Sequence, residues 1–213
     1  MSRDDLRFFN PWGDVEVTKN HLPHWQQPGV VYFVTWRLAD SIPKEKLDGL
    51  FSEREDWKQQ HPEPWDEGTE AKYHRLFSTR MDDWMDGGHG ACLLRVRENA
   101  DVVSAALHHF ESDRTAMLSF VVMPNHVHAL FAVHVDWTLE EVVQSWKSYT
   151  AKQINRRMGR TGQLWQKDYF DRLVRDGRHF GNCVRYIRGN GPNARLPESS
   201  FSLWESELAK NIE

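Results

Sequence analysis

The chain has 213 residues, two cysteines, ten tryptophans and a formal net charge of −4. This length favours one domain, or one domain with a sizeable insertion, and it allows a core that needs no disulfide framework. No apolar run reaches the length of a membrane span and the first residues carry no signal-peptide pattern, so we expect a cytoplasmic protein without a membrane partner.

The first half of the chain predicts one strand followed mainly by helices. Continuous apolar residues indicate the strand, and apolar residues three and four apart indicate the helices. The predicted elements are a strand at 30–38, helices at 44–58 and 70–86, a short strand at 91–97 and a helix at 99–112. The first strand is therefore followed by a helical insertion over about 44–90.

The second half predicts a strand pair and two long helices. Two apolar runs flank a tight turn at Pro124-Asn125. A capping box, Thr138 with Glu141, opens a helix that ends at Gly159. An irregular or strand-like segment at 164–174, a helix at 176–189 and a C-terminal tail complete the chain. This mixture favours an α+β fold, an antiparallel sheet covered by helices.

The pair His126 and His128 is the most informative motif of the sequence. Both residues lie in the second strand of the predicted hairpin, and side chains at i and i+2 of a strand point to the same face. Imidazoles held side by side on a rigid strand form half of a divalent-metal site. Such a pair is more often packed and hydrogen-bonded, so the metal interpretation depends on further ligands.

The last predicted helix offers such a ligand. Beside its apolar face runs a polar stripe that contains His179, Asn182, Tyr186 and Asn190. The Asn190 amide lies one turn after the Tyr186 hydroxyl. A tyrosine is a weak nucleophile at its ordinary pKa of about 10, and a divalent metal assists it by polarising the phosphate under attack. A half-buried structural role is the competing interpretation of Tyr186.

Positive charge is concentrated around this helix. Residues 145–195 contain 12 Lys or Arg against three acidic residues, and the remainder contains 15 basic and 28 acidic residues. This asymmetry favours a nucleic-acid-binding face over a solvated face that distant acids balance. The residues predicted to contact a DNA backbone are Lys147, Lys152, Arg156, Arg157, Arg160, Arg185 and Arg188. Stacking on bases by Trp146 and Trp165 is less favoured than core packing.

Several motifs resemble the single-tyrosine transposases, which carry a His-hydrophobe-His metal motif. Met123-Pro124-Asn125-His126-Val127-His128 is similar to that motif, and Tyr186-Ile187-Arg188-Gly189-Asn190 is similar to the tyrosine helix of the family. Residues 164–171 and 32–38 resemble the corresponding segments of the REP-associated tyrosine transposase branch. The resemblance covers roughly residues 22–196.

The resemblance implies a ferredoxin-like (RRM-like) antiparallel sheet of the HUH endonuclease type. It places this single domain at 23–196, after an N-terminal extension at 1–22 and before a C-terminal tail at 197–213. It implies a Mg²⁺- or Mn²⁺-dependent enzyme that cleaves and rejoins single-stranded hairpin DNA, such as REP-like palindromes, through a 5′-phosphotyrosine. His126, His128 and Asn190 then correspond to metal ligands and Tyr186 to the nucleophile. Both a monomer and a homodimer are compatible with the sequence.

Two features leave alternatives open. The family has Asn-Pro where this chain has Asn190-Gly191-Pro192, and the additional glycine is able to loosen the third ligand. Tyr169 is a rival nucleophile, disfavoured because the flanking Asp168 and Asp171 repel a phosphate. A hairpin-binding domain that has lost turnover is the main alternative function. A metal hydrolase for small substrates is another, but it leaves the basic segment unused.

Overall fold

A computed structural model describes residues 5–19, 23–62 and 66–213 of the chain. The strands are β1 (Glu16–Lys19), β2 (Pro23–Gln26), β3 (Val31–Arg37), β4 (Thr115–Val122), β5 (His126–Val133), β6 (Phe170–Leu173) and β7 (Ser202–Glu205). The α-helices are α1 (Lys44–Gln60), α2 (Glu67–Tyr73), α3 (Thr79–Asp86), α4 (Arg97–His108), α5 (Leu139–Arg157), α6 (Gly177–Asn193) and α7 (Glu207–Lys210).

Five strands form one antiparallel sheet in the order β6-β3-β5-β4-β7. If β3, β4, β5 and β6 are numbered one to four, the inner order is 4-1-3-2, with α4 and α5 as the two crossover connections. This is the βαββαβ topology of a ferredoxin-like fold. The predicted α+β class with an antiparallel ferredoxin-like sheet is confirmed.

Strand alternation divides the core between the two faces of the sheet. On one face, Trp36 of β3 stacks on Trp146 of α5, and α4 packs beside them. On the other face, Phe33 and Leu130 belong to the cluster that Ile187 of α6 completes. We call the second face the α6 face, and His126 and His128 lie on it because they share the alternation of Leu130.

The predicted helical insertion follows β3 and consists of α1, α2 and α3, with a π-helical segment, His74–Ser78, between α2 and α3. It has hydrophobic clusters of its own: Ile42, Leu47 and Met85 in one, and Leu50, Trp57 and Phe77 in the other. A hydrogen bond from the Asn125 amide to the Met85 carbonyl (2.9 Å) joins α3 to the β4–β5 turn. The insertion is therefore a separately packed layer that is fastened to the sheet near the two histidines.

The short strand expected at 91–97 is wrong, because Leu93–Arg95 form a 3₁₀ turn. Cys92 has a left-handed backbone with φ of 46°, which ends any extended run. The Leu94 N–H donates to the Pro124 carbonyl (3.0 Å) at the hairpin turn instead of pairing with a strand. The outer edge of β4 is paired with β7.

The segment expected as a C-terminal tail, 197–213, extends the sheet. It supplies β7 at the edge of β4, and Ala209 of α7 is completely buried. Arg188 of α6 holds this segment, since its guanidinium pairs with Glu205 (3.0 Å) and donates to the carbonyls of Ala209 (2.9 Å) and Ile212 (2.7 Å). The tail thus belongs to the packed fold.

Part of the expected N-terminal extension, residues 1–4 and 20–22, lies outside the described residues. Of the remainder, Leu6 is buried on the α6 face, and the Arg7 carbonyl accepts from the Val31 N–H (3.0 Å). Strands β1 and β2 form a small hairpin separate from the main sheet. Across the described ranges, no helix is both long and apolar enough to cross a membrane.

Candidate active site

β5 presents His126 and His128 side by side on the α6 face, as the two-residue spacing predicts. Each residue is 1% exposed, and the ring centroids are 4.7 Å apart. β5 pairs with β3 on one side and with β4 on the other, so hydrogen bonds hold its backbone along both edges. The two imidazoles therefore sit on the most constrained strand of the sheet.

Hydrogen bonds at Nδ1 orient both rings. The His126 Nδ1 lies 2.8 Å from Asn125 Oδ1, and the Asn125 oxygen faces the ring because its Nδ2 donates to the Met85 carbonyl. The His128 Nδ1 lies 2.7 Å from the Thr35 hydroxyl oxygen. Nδ1–H of His126 therefore donates to the amide oxygen and leaves a lone pair at Nε2. Metal-binding histidines are usually oriented by such a contact at the other ring nitrogen.

Burial keeps both rings neutral. Loss of hydration lowers the pKa of His126 to about 3. Loss of hydration, and to a lesser extent the His126 ring, lowers the pKa of His128 well below its ordinary value. Neutral imidazoles are the form that coordinates metals, so protons do not compete for the two Nε2 atoms near pH 7.

α6 crosses the face of the sheet and brings a tyrosine and an amide to the histidines. The Asp176 side chain caps the helix by accepting from the His179 N–H (2.7 Å). Ile187 is completely buried against the sheet, which fixes the rotation of the helix. Tyr186 and Asn190, on the adjoining stripe, consequently face the two imidazoles.

Asn190 is 4% exposed, and its side chain interacts with those of His126 and Tyr186. The additional glycine that follows does not loosen it, because α6 continues through Gly191 to Asn193. A Cβ on Gly191 would overlap the ring of Phe201, so only glycine allows this close approach. The departure from the Asn-Pro pattern is accommodated by packing against the C-terminal segment.

The donor atoms fit a divalent cation. Nε2 of His126, Nε2 of His128 and Oδ1 of Asn190 are all buried without a hydrogen-bond partner. Such atoms normally destabilise a fold by about 1–3 kcal/mol each, so three on one face indicate a cation-binding set. Over the described parts of the chain, no group of three or more His, Cys, Asp or Glu side chains is arranged to hold a metal. The amide oxygen is therefore needed to complete the set.

Tyr186 lies at the edge of this donor set. Its ring centroid is 5.1 Å from that of His128 and 5.7 Å from that of Phe33, with edge-on geometry in both cases. Burial raises the pKa of Tyr186 well above its ordinary value, and the carboxylates of Asp82 and Asp86 raise it further. The hydroxyl is thus firmly protonated, and it needs a proton acceptor before it can act as a nucleophile.

α3 of the insertion supplies Asp82, a residue that no sequence motif marks. Its carboxyl group lies beside the Tyr186 hydroxyl, and each group shifts the pKa of the other. Burial raises the pKa of Asp82 to about 7, against the lowering effect of the neighbouring tyrosine hydroxyl. Burial, followed by the charge of Asp83, raises the pKa of Asp86 to about 6. Local sequence cannot distinguish these helical acids, because only the docking of the insertion brings Asp82 to the tyrosine.

A cavity of about 430 Å³ lies between the insertion and the sheet, beside Tyr186. Its aromatic lining includes Phe33, Trp36, Phe51, Tyr73, Phe77, Tyr169 and Phe170. Asp82 and Tyr186 contribute polar groups to the wall, and Arg37, Arg54 and Arg172 contribute three guanidinium groups. The nucleophile candidate thus opens onto a mainly apolar space whose wall carries three cations.

Arg37 is a buried cation on the same face as the histidines. It pairs in register with His126, is 7% exposed, and donates from Nη1 to the Ser41 hydroxyl (3.1 Å). Burial lowers the pKa of Arg37 to about 10, so the guanidinium stays charged at neutral pH. Alternation along β3 from Phe33 through Thr35 to Arg37 is the sequence signal that marks its face.

Four of the seven residues predicted to contact DNA lie on or just after α5 and are exposed: Lys152, Arg156, Arg157 and Arg160. Arg157 pairs with Glu98 (3.2 Å). Because α5 packs on the face opposite α6, the sheet separates these cations from Tyr186. Their contact with DNA stays a prediction for a surface away from the tyrosine.

The other three residues predicted to contact DNA already make hydrogen bonds within the protein. Lys147 is 6% exposed, donates to the Lys167 carbonyl (2.8 Å), and has its pKa lowered to about 8 by burial. Arg185 donates to the Glu213 carbonyl (2.6 Å), and Arg188 holds the C-terminal segment. A phosphate contact by any of the three requires these bonds to be exchanged.

The tryptophans considered for base stacking and the rival nucleophile Tyr169 all belong to the hydrophobic core. Trp146 and Trp165 are 2% and 4% exposed and pack around Trp36. Tyr169 is 8% exposed in the same cluster, and its pKa is raised first by burial and then by Asp171. Core packing is thus the observed role of both tryptophans, and Tyr169 belongs to the cluster on the α5 side.

Comparison with known proteins identifies a family for part of the chain. Residues 95–190 match the model of a family described as "Transposase IS200 like". The matched segment begins just before α4 and ends at Asn190, so it contains both histidines, the tyrosine and the amide. β3 and the insertion lie outside it.

Seven chains of solved structures also match. One is a REP-associated tyrosine transposase bound to a REP hairpin, with 11% identity, a TM-score of 0.39, and coverage of 90% of this chain and 93% of that chain. Another is a candidate transposase from Deinococcus radiodurans R1, with 14% identity, a TM-score of 0.31, and coverage of 78% of this chain and 93% of that chain. No curated protein shows a significant match.

Proposed function

We propose that this chain, whose residues 95–190 match the IS200-like transposase family, is a metal-dependent endonuclease and strand transferase. It acts on single-stranded DNA, and Tyr186 forms the covalent intermediate. His126, His128 and Asn190 hold Mg²⁺ or Mn²⁺.

One observation carries the proposal: three buried donor atoms without partners converge beside a single tyrosine. A purely structural tyrosine does not account for the neutral pair of imidazoles oriented at Nδ1 and open at Nε2. Two histidines buried for structural reasons alone would have both nitrogens of each ring hydrogen-bonded. A cation and its phosphate ligand satisfy all three atoms at once.

The reaction divides into two transesterifications. The divalent cation that His126, His128 and Asn190 would hold would polarise the scissile phosphate and stabilise the charge that develops on it. The Tyr186 oxygen attacks phosphorus, the bond from phosphorus to the 3′-oxygen breaks, the phenol proton goes to an acceptor, and the leaving 3′-oxygen takes up a proton. A 5′-phosphotyrosine results. Attack by a free 3′-hydroxyl reverses these steps and rejoins a strand without a nucleotide cofactor.

Other residues of the α6 face bind the substrate in this proposal. Arg37, charged and buried at the register position of His126, neutralises a phosphate next to the scissile one. Unpaired bases enter the cavity beside Tyr186. Phe51 and the other aromatic residues that line this cavity offer surfaces on which the bases stack. The exposed cations of α5 attract the hairpin stem from the other side of the sheet.

The substrate class is a hairpin with single-stranded flanks, and REP-like palindromes are its first candidates. Support comes from the resemblance of residues 32–38 and 164–171 to the REP-associated branch, and from the basic character of residues 145–195. The enzyme acts in the cytoplasm as a monomer or a homodimer.

Covalent trapping tests the proposal. Labelled hairpin DNAs with single-stranded flanks are incubated with Mn²⁺, Mg²⁺ or chelator, and denaturing gels detect protein–DNA adducts. We expect a metal-dependent adduct with the wild-type protein and with Tyr169→Phe, the matched control, and none with Tyr186→Phe.

An adduct that persists in Tyr186→Phe contradicts the assignment of the nucleophile. Tight, salt-sensitive hairpin binding without any adduct in the wild type contradicts the enzymatic proposal, and it favours a hairpin-binding domain that has lost turnover.

A further inference from the structure

The helical insertion reaches the candidate site at one acidic side chain. α3 lies outside the segment that matches the family, yet its Asp82 lines the same cavity as Tyr186, with its carboxyl group beside the tyrosine hydroxyl. Its neighbour Asp83 is exposed. A partly buried carboxyl group beside a reacting atom is a position at which proton transfer is possible without a relay.

We propose that Asp82 is the general base of the cleavage step and takes the phenol proton of Tyr186 as the tyrosine attacks phosphorus. This inference rests on the proposed function. It adds a catalytic residue from the insertion to the ligands and nucleophile of the matched segment.

Asp82 and Tyr186 account for the phenol proton, and water protonates the leaving group. As the bond from the Tyr186 oxygen to phosphorus forms, the O–H bond breaks and its proton moves to a carboxylate oxygen of Asp82. The bond from phosphorus to the 3′-oxygen breaks, and that oxygen takes a proton from water. In the rejoining step, the attacking 3′-hydroxyl returns its proton to water, the bond from phosphorus to the Tyr186 oxygen breaks, and the protonated Asp82 returns its proton to the departing phenolate.

The surroundings of Asp82 suit a group that gains and loses a proton. Asp86 and Asp83 on α3 add negative charge, and Arg172 on β6 opposes it from the sheet. Burial and these charges bring the pKa of Asp82 to about 7, against an ordinary value of 3.8. A base whose pKa lies near the working pH combines an available carboxylate with useful proton affinity.

Metal binding is the competing role for Asp82, and the geometry disfavours it. Within the described residues, no three His, Cys, Asp or Glu side chains are grouped for a metal, so Asp82 does not join the two histidines. Its carboxyl group lies beside the Tyr186 hydroxyl instead. The two roles also differ in their consequences, because loss of a ligand weakens metal binding and loss of a base does not.

Single-turnover adduct formation with excess hairpin DNA and Mn²⁺ tests the inference. We expect Asp82→Asn to form the adduct about 10²-fold more slowly or worse, the usual contribution of a general base. Asp83 is exposed and is the weakest of the charges that act on Asp82, so Asp83→Asn keeps a rate within about two-fold of the wild type. Calorimetric titration with Mn²⁺ alone gives the same affinity for all three proteins.

Chemical rescue is the second measurement. In Asp82→Ala, the cavity beside Tyr186 admits a small carboxylate, so added formate restores part of the adduct rate. Formate has no effect on Asp83→Ala and produces no adduct with Tyr186→Phe. Circular dichroism of each variant excludes loss of the fold, and formate cannot rescue an unfolded chain.

The outcomes separate the two proposals. A wild-type rate in Asp82→Asn overturns the role of Asp82 and leaves the proposed function intact. Loss of Mn²⁺ affinity in Asp82→Asn, or a slow Asp82→Ala that formate does not accelerate, assigns Asp82 a ligand or packing role instead. Absence of any adduct with the wild-type protein overturns the proposed function, and the inference about Asp82 with it.

Discussion

The segment that matches the family, 95–190, and the helical insertion, α1 to α3, contribute different things to the site. The first supplies every proposed ligand and the nucleophile, on a central strand and on a helix buried against it. The insertion supplies two contacts, the Met85 carbonyl to Asn125 and Asp82 to Tyr186. In the proposed reaction, one region holds the reacting groups and the other influences the positions of their protons.

The difference follows from packing. β5 is paired along both edges, whereas the insertion has two small hydrophobic clusters and is fastened near the turn before β5. A metal site needs ligands that do not move, and close packing in the sheet provides that. Proton positions are sensitive to single hydrogen bonds, which an added layer can supply without altering the sheet.

The largest expected effect on metal binding and adduct formation comes from removing a proposed ligand in the matched segment. His128→Ala removes one of two imidazole ligands, so we expect Mn²⁺ binding and adduct formation to fall by about 10³-fold or more, equivalent to several kcal/mol of lost metal assistance. Calorimetry and adduct gels measure the two quantities. His108→Ala removes a histidine that contacts Phe120 and Trp204 outside the site and should retain both activities. Retained Mn²⁺ affinity in His128→Ala would contradict the proposed ligand set.

A smaller effect is expected where the two regions meet. Asn125→Ala removes the amide that orients His126 and its bond to Met85, and loss of such an outer contact lowers metal affinity about 10–100-fold. Titration with Mn²⁺ measures the change. Asn155→Ala is the control, because its amide donates to the Gly162 carbonyl (2.8 Å) on a surface loop. If the two variants bind Mn²⁺ equally well, the insertion does not influence the metal site.

The insertion makes its own contribution to the pH dependence of stability. The pKa of Asp82 is about 7 in the folded protein and near 3.8 unfolded, so at this residue the folded state binds more protons between these values, and the contribution of Asp82 to stability falls as pH rises through them. We expect Asp82→Asn to be more stable than the wild type by about 2 kcal/mol above pH 7, after allowance for solvent screening, and equally stable below pH 4.

Denaturant unfolding in chelator at both pH values measures this difference. Asp83→Asn, which alters an exposed carboxyl group in the same helix, should show little change at either pH. The opposite result would be a wild-type protein that becomes less stable, relative to Asp82→Asn, as the pH falls from 7 to 4. That result would exclude a raised pKa of Asp82 in the folded state.

The smallest effect is expected on the far face of the sheet. Replacing Arg156 and Arg160 by Ala removes two exposed cations, so hairpin affinity should weaken and the slope of log affinity against log salt should fall by about two. Fold stability should change by less than about 0.5 kcal/mol. Adduct rate at saturating DNA should stay the same, and a large fall in that rate would place these residues near the chemistry.

Sequence periodicity was sufficient to predict which site residues lie together when they belong to the same strand or helix. Alternation on β5 brings His126 and His128 together, and the helical repeat brings Tyr186 and Asn190 to one stripe of α6. The capping box of Thr138 and Glu141 is also confirmed. In each case the residues are neighbours within one element, so the geometry of a strand or helix determines their relation.

Contacts between distant elements were not predictable in the same way. Asn125 meets Met85 across 40 positions, and Asp82 meets Tyr186 only because the insertion docks on the α6 face. The role of Gly191 likewise depends on Phe201 in a segment expected as a tail. Tertiary packing decides which of several similar acids or glycines is used, and no local pattern contains that information.

The bond between Asn125 and Met85 also has a thermodynamic consequence, which concerns reciprocity. If the docked position of α3 strengthens metal binding through His126, then metal binding must strengthen the docking of α3 by the same factor. A DNA strand that enters the cavity and contacts the insertion would then raise the affinity of the protein for its cation, and the loaded cation would raise the affinity for that strand. Substrate binding and metal binding would then strengthen one another through the hydrogen bond between Asn125 and Met85 of α3.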